Sequence, residues 1–413
     1  MSAPALRFKE FDGDWKSFSL LDLSSDKTLN NGVFNDQNKV GKGYKLINVL
    51  DMYIDRDIDE SRLSLLDLSK QEFERNKVKY GDIFFTRSSL VKEGIAYSNV
   101  YLGSSNDITY DGHLIKLSPN LEQINSIFLN YGLKTSKVRK QLIQGGKTAT
   151  MTTIGQKEIA STKIDVPFLQ EQTKIASFLS AIDEKISQLT QKHQLLSQYK
   201  QGMMQKLFSQ QIRFKADDGS EFGKWESKKI SDLFDEVRNK VADRDIETYS
   251  ITAGKGFVSQ ANKFGRDISG KQNSNYIVLK PNDFSYNKGN SKTYKYGCVY
   301  LNELTYDIAV PNVFISFRSK KQNLVHEKFY SKLFEFHYLD RYLRLLISSS
   351  ARMDGLLNVS KDGFFEIKLP YPCLEEQTKI ANFLSAIDQK IEVTSQQIEQ
   401  AKQWKKGLLQ QMF

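Results

Sequence analysis

Residues 169–186 read LQEQTKIASFLSAIDEKI and residues 374–391 read LEEQTKIANFLSAIDQKI, so fifteen of 18 positions are identical at a fixed offset of 205. Identity at that level means that one structural unit is used twice. A fainter echo precedes each copy: FDGDWKSFSLLDL from Phe11 aligns with EFGKWESKKISDLF from Glu221, setting Trp15 against Trp225. Each half therefore runs from a Trp-containing start through a divergent body to a Pro-bearing strand end, VPFL at 166–169 or YPCL at 371–374, and then the shared segment. Any fold for this chain has to be built in two parallel halves.

The shared segment has the pattern of a helix. In the first copy Ile175, Leu179, Ile182, Ile186, Leu189, Leu196, Met203 and Leu207 fall on a seam of alternating steps of three and four, with His193 and Lys200 interrupting it. In the second copy Ile380, Leu384, Ile387, Ile391, Ile398, Ala401, Leu408 and Met412 do the same, interrupted by Thr394 and Lys405. Such a stripe is a coiled-coil seam. Pro167 and Pro372 stand just upstream, where a helix can begin but not pass through. About 40 residues of helix span roughly 60 Å at 1.5 Å per residue. Each seam needs a partner, and the simplest partner is the other copy, which predicts an intramolecular pair; homodimerisation through the same seams is the alternative.

Charge divides the chain in the same places. The net charge is +10. Residues 168–208 carry five lysines against three acids and residues 373–413 carry five against five, which leaves +8 for the two bodies. Basic bodies on near-neutral struts suit a polyanionic partner, because lysine and arginine displace counterions from phosphates. Two cysteines, Cys298 and Cys373, make no disulfide framework, and four scattered histidines (His113, His193, His326, His337) make no metal site. The opening residues lack the apolar core of a secretion signal, and no apolar run of membrane-spanning length occurs. An intracellular, cytoplasmic chain is expected.

Each body mixes short β-rich runs with loops and one longer helical stretch. In the first, 39–50, 81–87, 94–102 and 111–119 read as strands, and Asn125 to Ile143 as the helix. In the second, 247–259, 275–289, 296–302 and 313–319 read as strands, and Lys332 to Ser348 as the counterpart helix. The elements correspond while the side chains differ, which suits two domains reading different sequences on one scaffold. Candidate nucleic-acid contacts lie in loops that combine glycine, a cation and a hydroxyl or amide: glycine lets the backbone approach phosphate, the cation neutralises it, and Asn, Gln or Arg reads base edges. They are Lys39, Lys42, Lys45, Thr86, Arg87, Ser88, Ser89 and Lys147 in the first body. In the second they are Lys255, Tyr286, Asn287, Lys288, Asn290, Ser291, Lys292 and Lys361. The plainer reading of each is a surface lysine or a turn residue.

Motifs for catalysis are poor matches. There is no GxxxxGK[ST] phosphate loop, and the pairs Gly41/Gly43 and Gly254/Gly256 lack the third glycine of a dinucleotide loop. DVPF at 165–168 carries one proline where a methyltransferase motif has two. Glu366-Ile-Lys368, with Asp362 nearby, is an acid-x-lysine string too short and common to define a nuclease. Catalytic and metal-ligating residues are therefore both expected to be none. A freestanding nuclease–methylase would need motifs that these are not. An adaptor that joins two partners through its coiled coil without binding DNA is the alternative function, and the basic bodies argue against it.

The two-body, two-helix layout resembles the specificity subunit of type I restriction-modification systems, across essentially the whole chain. EQTKIASFLSAIDEKI, EQTKIANFLSAIDQKI and GDIFFTRSS at 81–89 carry the resemblance; the second body reads NDFSYNKGN at 282–290 in the equivalent place. The resemblance implies an α/β (α+β) architecture with a pseudo-twofold internal repeat. It places target recognition domains at 1–167 and 210–371, separated by spacer helices at 168–209 and 372–413 that pair as an antiparallel coiled coil. It also implies a non-catalytic, DNA-binding subunit that reads a bipartite, asymmetric double-stranded site in host defence. Two modification subunits holding S-adenosylmethionine would methylate adenine, and restriction subunits using ATP and Mg would cleave. The paired helices would act as a ruler for the unread gap and as the dock for the modification subunits.

Overall fold

Both repeated segments are unbroken helices, Leu169–Phe208 and Leu374–Gln411, in a computed structural model that describes residues 4–54, 56–261, 274–289, 294–321, 323–347 and 356–413. Acidic side chains occupy the first turn of each, Glu171 in one and Glu375 and Glu376 in the other, where the helix dipole favours negative charge. The chain divides into two units, Met1–Gln191 with Ser395–Phe413, and Lys192–Thr394. The first part of one long helix thus packs in the same unit as the last part of the other, and each unit contains an antiparallel pair.

In the first unit Ile175, Leu179, Ile182 and Ile186 share a core with Leu408 and Met412 of the second helix, and with Trp15, Ile83, Phe85 and Phe128 of the body. In the second unit Ile380, Leu384 and Ile387 share a core with Met204, Leu207 and Phe208, and with Phe234, Phe284, Phe317 and Phe329. The expected seam is therefore half coiled coil and half domain core. Leu189 and Ile398 are buried, Leu196 and Ile391 half-buried. Met203 is only half-buried while its neighbour Met204 is buried, so the stripe drifts by one residue at the end of the first helix.

Lys200, Lys405 and Thr394, which interrupt the seam, have partners. Lys405 binds Asp183 in the first unit, and Lys200 binds Asp388 in the second. These are the same pair with the helices exchanged, since 183 and 388, and 200 and 405, are repeat equivalents. Phe178 packs edge-on to Trp404, and Phe383 edge-on to Tyr199, in the same exchanged relation. Thr394 is buried and returns its hydroxyl to the Lys390 carbonyl.

The repeated Glu-Gln is the joint between helix and body. Glu171 takes both forks of Arg7 at 2.7 Å, and Glu376 takes both forks of Arg213 at 3.0 and 2.7 Å. Bidentate pairing suits the planar guanidinium and holds its direction as well as its charge. Gln172 accepts from the Asn125 amide at 2.8 Å and donates to the Gln123 and Pro167 carbonyls at 3.1 and 2.9 Å. Gln377 repeats this with His326, Leu324 and Pro372 at 2.9, 3.2 and 2.9 Å. Both glutamines are buried. After its long helix the second unit runs on to Ile212, whose amide donates to the Lys206 carbonyl. In the first unit the equivalent bond is made by the Leu6 amide to the Gln411 carbonyl.

The bodies share a sheet order. In the first, an antiparallel sheet runs Ser24–Asn31, Leu114–Pro119, Ile83–Thr86, Ser98–Val100; in the second it runs Phe234–Glu236, Ile315–Ser319, Phe284–Asn287, Cys298–Leu301. A second sheet in the first body pairs Val40–Ile47 in parallel with Ile108–Tyr110. Each expected body helix is in fact two. Ser126–Leu133 and Ser136–Gly145 are separated where Thr135 turns its hydroxyl back to the Gly132 carbonyl. Glu327–Glu335 and Asp340–Leu346 are separated at His337, which has a φ of 59°. Among the described residues no helix is long and apolar enough to cross a membrane.

Replacing Gln172 with Leu keeps the volume but strands one amide and two carbonyls. At about 1 kcal/mol or more for each buried group left unpaired, Gln172→Leu is expected to lower unfolding stability by at least about 3 kcal/mol. A urea titration followed by circular dichroism checks this, and an unchanged midpoint shows that water replaces the bonds.

Candidate nucleic-acid interface

GDIFFTRSS begins as a device of the fold and becomes a surface only at its end. Gly81 has a φ of 90°, a conformation costly to side chains other than Asn and Asp, and its equivalent Asn282 has a φ of 68°. The next residue, Asp82 or Asp283, accepts the amide of Lys79 or Lys280 at 2.8 or 2.7 Å and faces Lys116 or Arg318 across the sheet. Burial pushes both carboxyl groups above the usual range, and the cation opposite acts against that rise. Ile83, Phe84, Phe85 and Thr86 are then wholly buried as the central strand.

Beyond Thr86 the chain surfaces. Arg87 is exposed; its amide donates to the His113 carbonyl and its own carbonyl accepts from Ile154. Ser88–Ser89 pairs with Thr152–Thr153, which pairs with Lys147–Thr148. Ser88, Ser89 and Lys147, three of the candidates in the first body, are thereby joined in one small three-stranded ribbon. Lys147 is 84% exposed, with Glu158 at 3.7 Å.

Arg139 holds the segment that follows the Ser88–Ser89 strand. Its guanidinium donates to the carbonyls of Ala96, Glu93 and Ile95 at 2.7, 2.8 and 2.6 Å. Desolvation by burial draws its pKa down. Ala96 sits at a φ of 50°, while its amide donates to the Thr86 carbonyl and the Tyr97 amide donates to the Thr86 hydroxyl. Nothing in the sequence around Arg139 distinguishes it from a surface arginine on a helix.

The remaining candidates separate. Thr86 and Tyr286 belong to the core: Thr86 caps Tyr97, while Tyr286 stacks on Phe364 at 5.1 Å and donates to the Tyr296 carbonyl. Both are fully buried, because the strand carries them inward before it surfaces. Lys42 and Lys45 lie on the second sheet, paired with Asp67 at 2.9 Å and Asp107 at 3.5 Å, and Lys39 is exposed at its edge. In the second body Asn287 folds back, bonding the Ile251 carbonyl and the Gly289 amide, and Lys288 donates to the Val359 carbonyl. Gly289 bridges to Leu356 as Ser88 and Ser89 pair with Thr152–Thr153. Lys255 is exposed on the hairpin between Tyr249–Thr252 and Gly256–Ser259, and Lys361 pairs with Glu236. Asn290, Ser291 and Lys292 lie outside the described residues.

Two copies of one scaffold, each offering a divergent loop cluster and each joined to a long helix of near-identical sequence, define an internally duplicated protein. The family model of the type I restriction modification DNA specificity domain matches residues 13–198 and again residues 223–403, and the chain belongs to that family. It is a specificity subunit of a type I restriction-modification system. Over 97% of its length, and 93% of the relative's, it is similar at 26% identity to a Methanocaldococcus jannaschii chain assigned as the type I restriction enzyme MjaX specificity subunit. It is 25% identical to the MjaVIII specificity subunit of the same organism, over 78% of this chain and 76% of that one. The crystal structure of the S subunit of a type I system from M. genitalium shares its fold at a TM-score of 0.60, with 15% identity over 100% of this chain and 99% of that one.

Lysine at position 139 keeps the charge but cannot reach three carbonyls at once. Arg139→Lys is expected to lower stability by about 1–3 kcal/mol, the cost of polar groups left unsatisfied. Amide exchange at Ala96 and Tyr97 should accelerate with it, and unchanged protection there counts against the clamp.

Proposed function

We propose that the chain reads a bipartite, asymmetric double-stranded DNA site, one half with each body, and directs adenine methylation or cleavage by partner subunits. On this reading the chain supplies no catalytic group. Modification subunits bring S-adenosylmethionine, restriction subunits bring ATP and Mg, and residues 1–167 and 210–371 serve as the target recognition domains.

What carries the reading is the contrast between near-identical helices and divergent basic bodies. Identical helical surfaces suit two copies of one partner, while different loops suit different half-sites. Arg87, Ser88, Ser89 and Lys147, gathered in one ribbon, are the contacts proposed for the first half-site. Lys39, Lys42 and Lys45 are proposed to flank them on phosphate. In the second body the proposed contacts are Lys255, Lys288 and Lys361 with residues 290–292. Guanidinium forks suit guanine edges, and lysines suit phosphates.

Sequencing the methylated DNA of a host that expresses this chain with its modification subunit tests the whole reading. Two short specified sequences separated by an unread gap are expected; random or absent methylation sinks it. Arg87→Ala is expected to relax or weaken one half-site only, by about 1–3 kcal/mol. Four residues inserted between Gln188 and Gln201 lengthen a helix by about 6 Å, close to two base pairs at about 3.4 Å each. The unread gap should grow by that amount with both half-sites intact, and an unchanged gap in an active variant refutes the ruler.

A further inference from the structure

The ribbon of the first body ends in side chains that a solvated loop has no use for. Leu90 is 84% exposed, Val91 60% and Met151 41%. The pairing of Ser89 with Thr152 places Leu90 and Met151 at the next position of the same register. Leu90 and Met151 thus lie directly beyond the last paired residues, Ser89 and Thr152, with Val91 next in the chain; Lys147 lies on the same small sheet and Arg87 immediately precedes its Ser88–Ser89 strand.

This tip is held in place. The Val91 amide donates to the Ser89 hydroxyl at 3.2 Å, the Gly94 amide closes a turn on the Val91 carbonyl, and Arg139 grips the carbonyls that follow. Exposed apolar groups that the fold pins outward mark a contact surface rather than a frayed loop. Its surroundings choose the occupant. The flanking cations fit phosphate, the hydroxyls fit base edges, and a narrow β-ribbon fits the major groove. The one apolar feature that groove presents is the thymine 5-methyl group.

We infer that Leu90, with Val91 and Met151 beside it, reads thymine in the first half-site through its 5-methyl group. The inference rests on the DNA-reading function proposed above and names its specificity-determining residues. An apolar tip of this kind rewards a methyl and gains less from cytosine, whose C5 carries only hydrogen at the same place in the groove.

The test uses the full chain assembled with its modification subunit. Once the half-sites are known, each thymine is replaced in turn by deoxyuridine, which removes only the methyl, and affinity is measured for the wild-type chain and for Leu90→Ser. Deoxyuridine at one or two positions of a single half-site is expected to weaken wild-type binding about fourfold, the worth of one buried methyl. The same replacements should leave Leu90→Ser indifferent, and Met151→Gln should show a reduced difference. Since both side chains are exposed, the unfolding midpoints should match wild type. Several results overturn the inference: equal affinity for thymine and deoxyuridine throughout, the same loss in Leu90→Ser as in wild type, half-sites without thymine, or a Leu90→Ser defect confined to assembly with the modification subunit. A wild-type complex that methylates without sequence preference brings down the DNA-reading function and this inference with it. Specific methylation that is blind to the methyl brings down this inference alone.

Discussion

The buried glutamine at the fourth position of each long helix is the joint on which the rest of each unit turns. Gln172 ties the helix start to Asn125, the cap residue of Ser126–Leu133, whose side chain in turn accepts the amides of Ile127 and Phe128. Buried amides of this kind are costly unless every donor and acceptor is met. A rotated helix or a shifted body would therefore break several bonds together. Glu171 and Arg7 close the other side of the joint, as Glu376 and Arg213 do in the second unit. The body is fixed to its strut by direction-sensitive contacts, where an apolar seam alone would allow sliding.

The two units reuse that joint and then diverge one layer further out. Asp183 receives the Tyr131 hydroxyl and Lys405, with Lys405 also over the Tyr131 ring at 5.3 Å. At the equivalent point Asp388 receives two lysines, Lys200 and Lys332, and both lysines also reach Glu335. The first arrangement balances one cation against one anion through a neutral phenol. The second balances two against two. Either satisfies the carboxylate, which is why the helix residues repeat almost unchanged while the body residues that meet them do not.

The helices were legible in the sequence because a seam with a period near 3.5 leaves no other structure for an apolar stripe of that length. Which half of the stripe faces the partner helix and which faces the body was not, since Ile175 and Leu408 look alike in a pattern and differ only in what surrounds them. Lys200 and Lys405 read as flaws in the seam because their acids lie on the other helix. Gln172 and Gln377 read as polar surface, as nearly any first-turn glutamine does. The breaks at Thr135 and His337 were hidden for a related reason: an apolar face can continue across two short helices that meet at an angle. Thr86 and Tyr286 passed for contact residues because polarity marks them, and only the strand's direction shows that they point inward.

That same strand explains how one scaffold can present two different surfaces. Up to Thr86 and Tyr286 the chain is wholly buried, packed with Phe84 and Phe85 in one body and with Phe284 and Phe317 in the other. One residue later the constraint lifts, and the chemistry separates at once. After Thr86 the first body continues Arg-Ser-Ser-Leu-Val, and after Tyr286 the second continues Asn-Lys-Gly. A ribbon edge lined by hydroxyls and an apolar tip offers directional and methyl-sensitive contacts, while a glycine at the matching bridge offers bare backbone. Divergence confined to the residues after a fixed core strand changes what is presented without disturbing what presents it. On the proposed reading, each new half-site then requires change only where the fold has nothing left to hold.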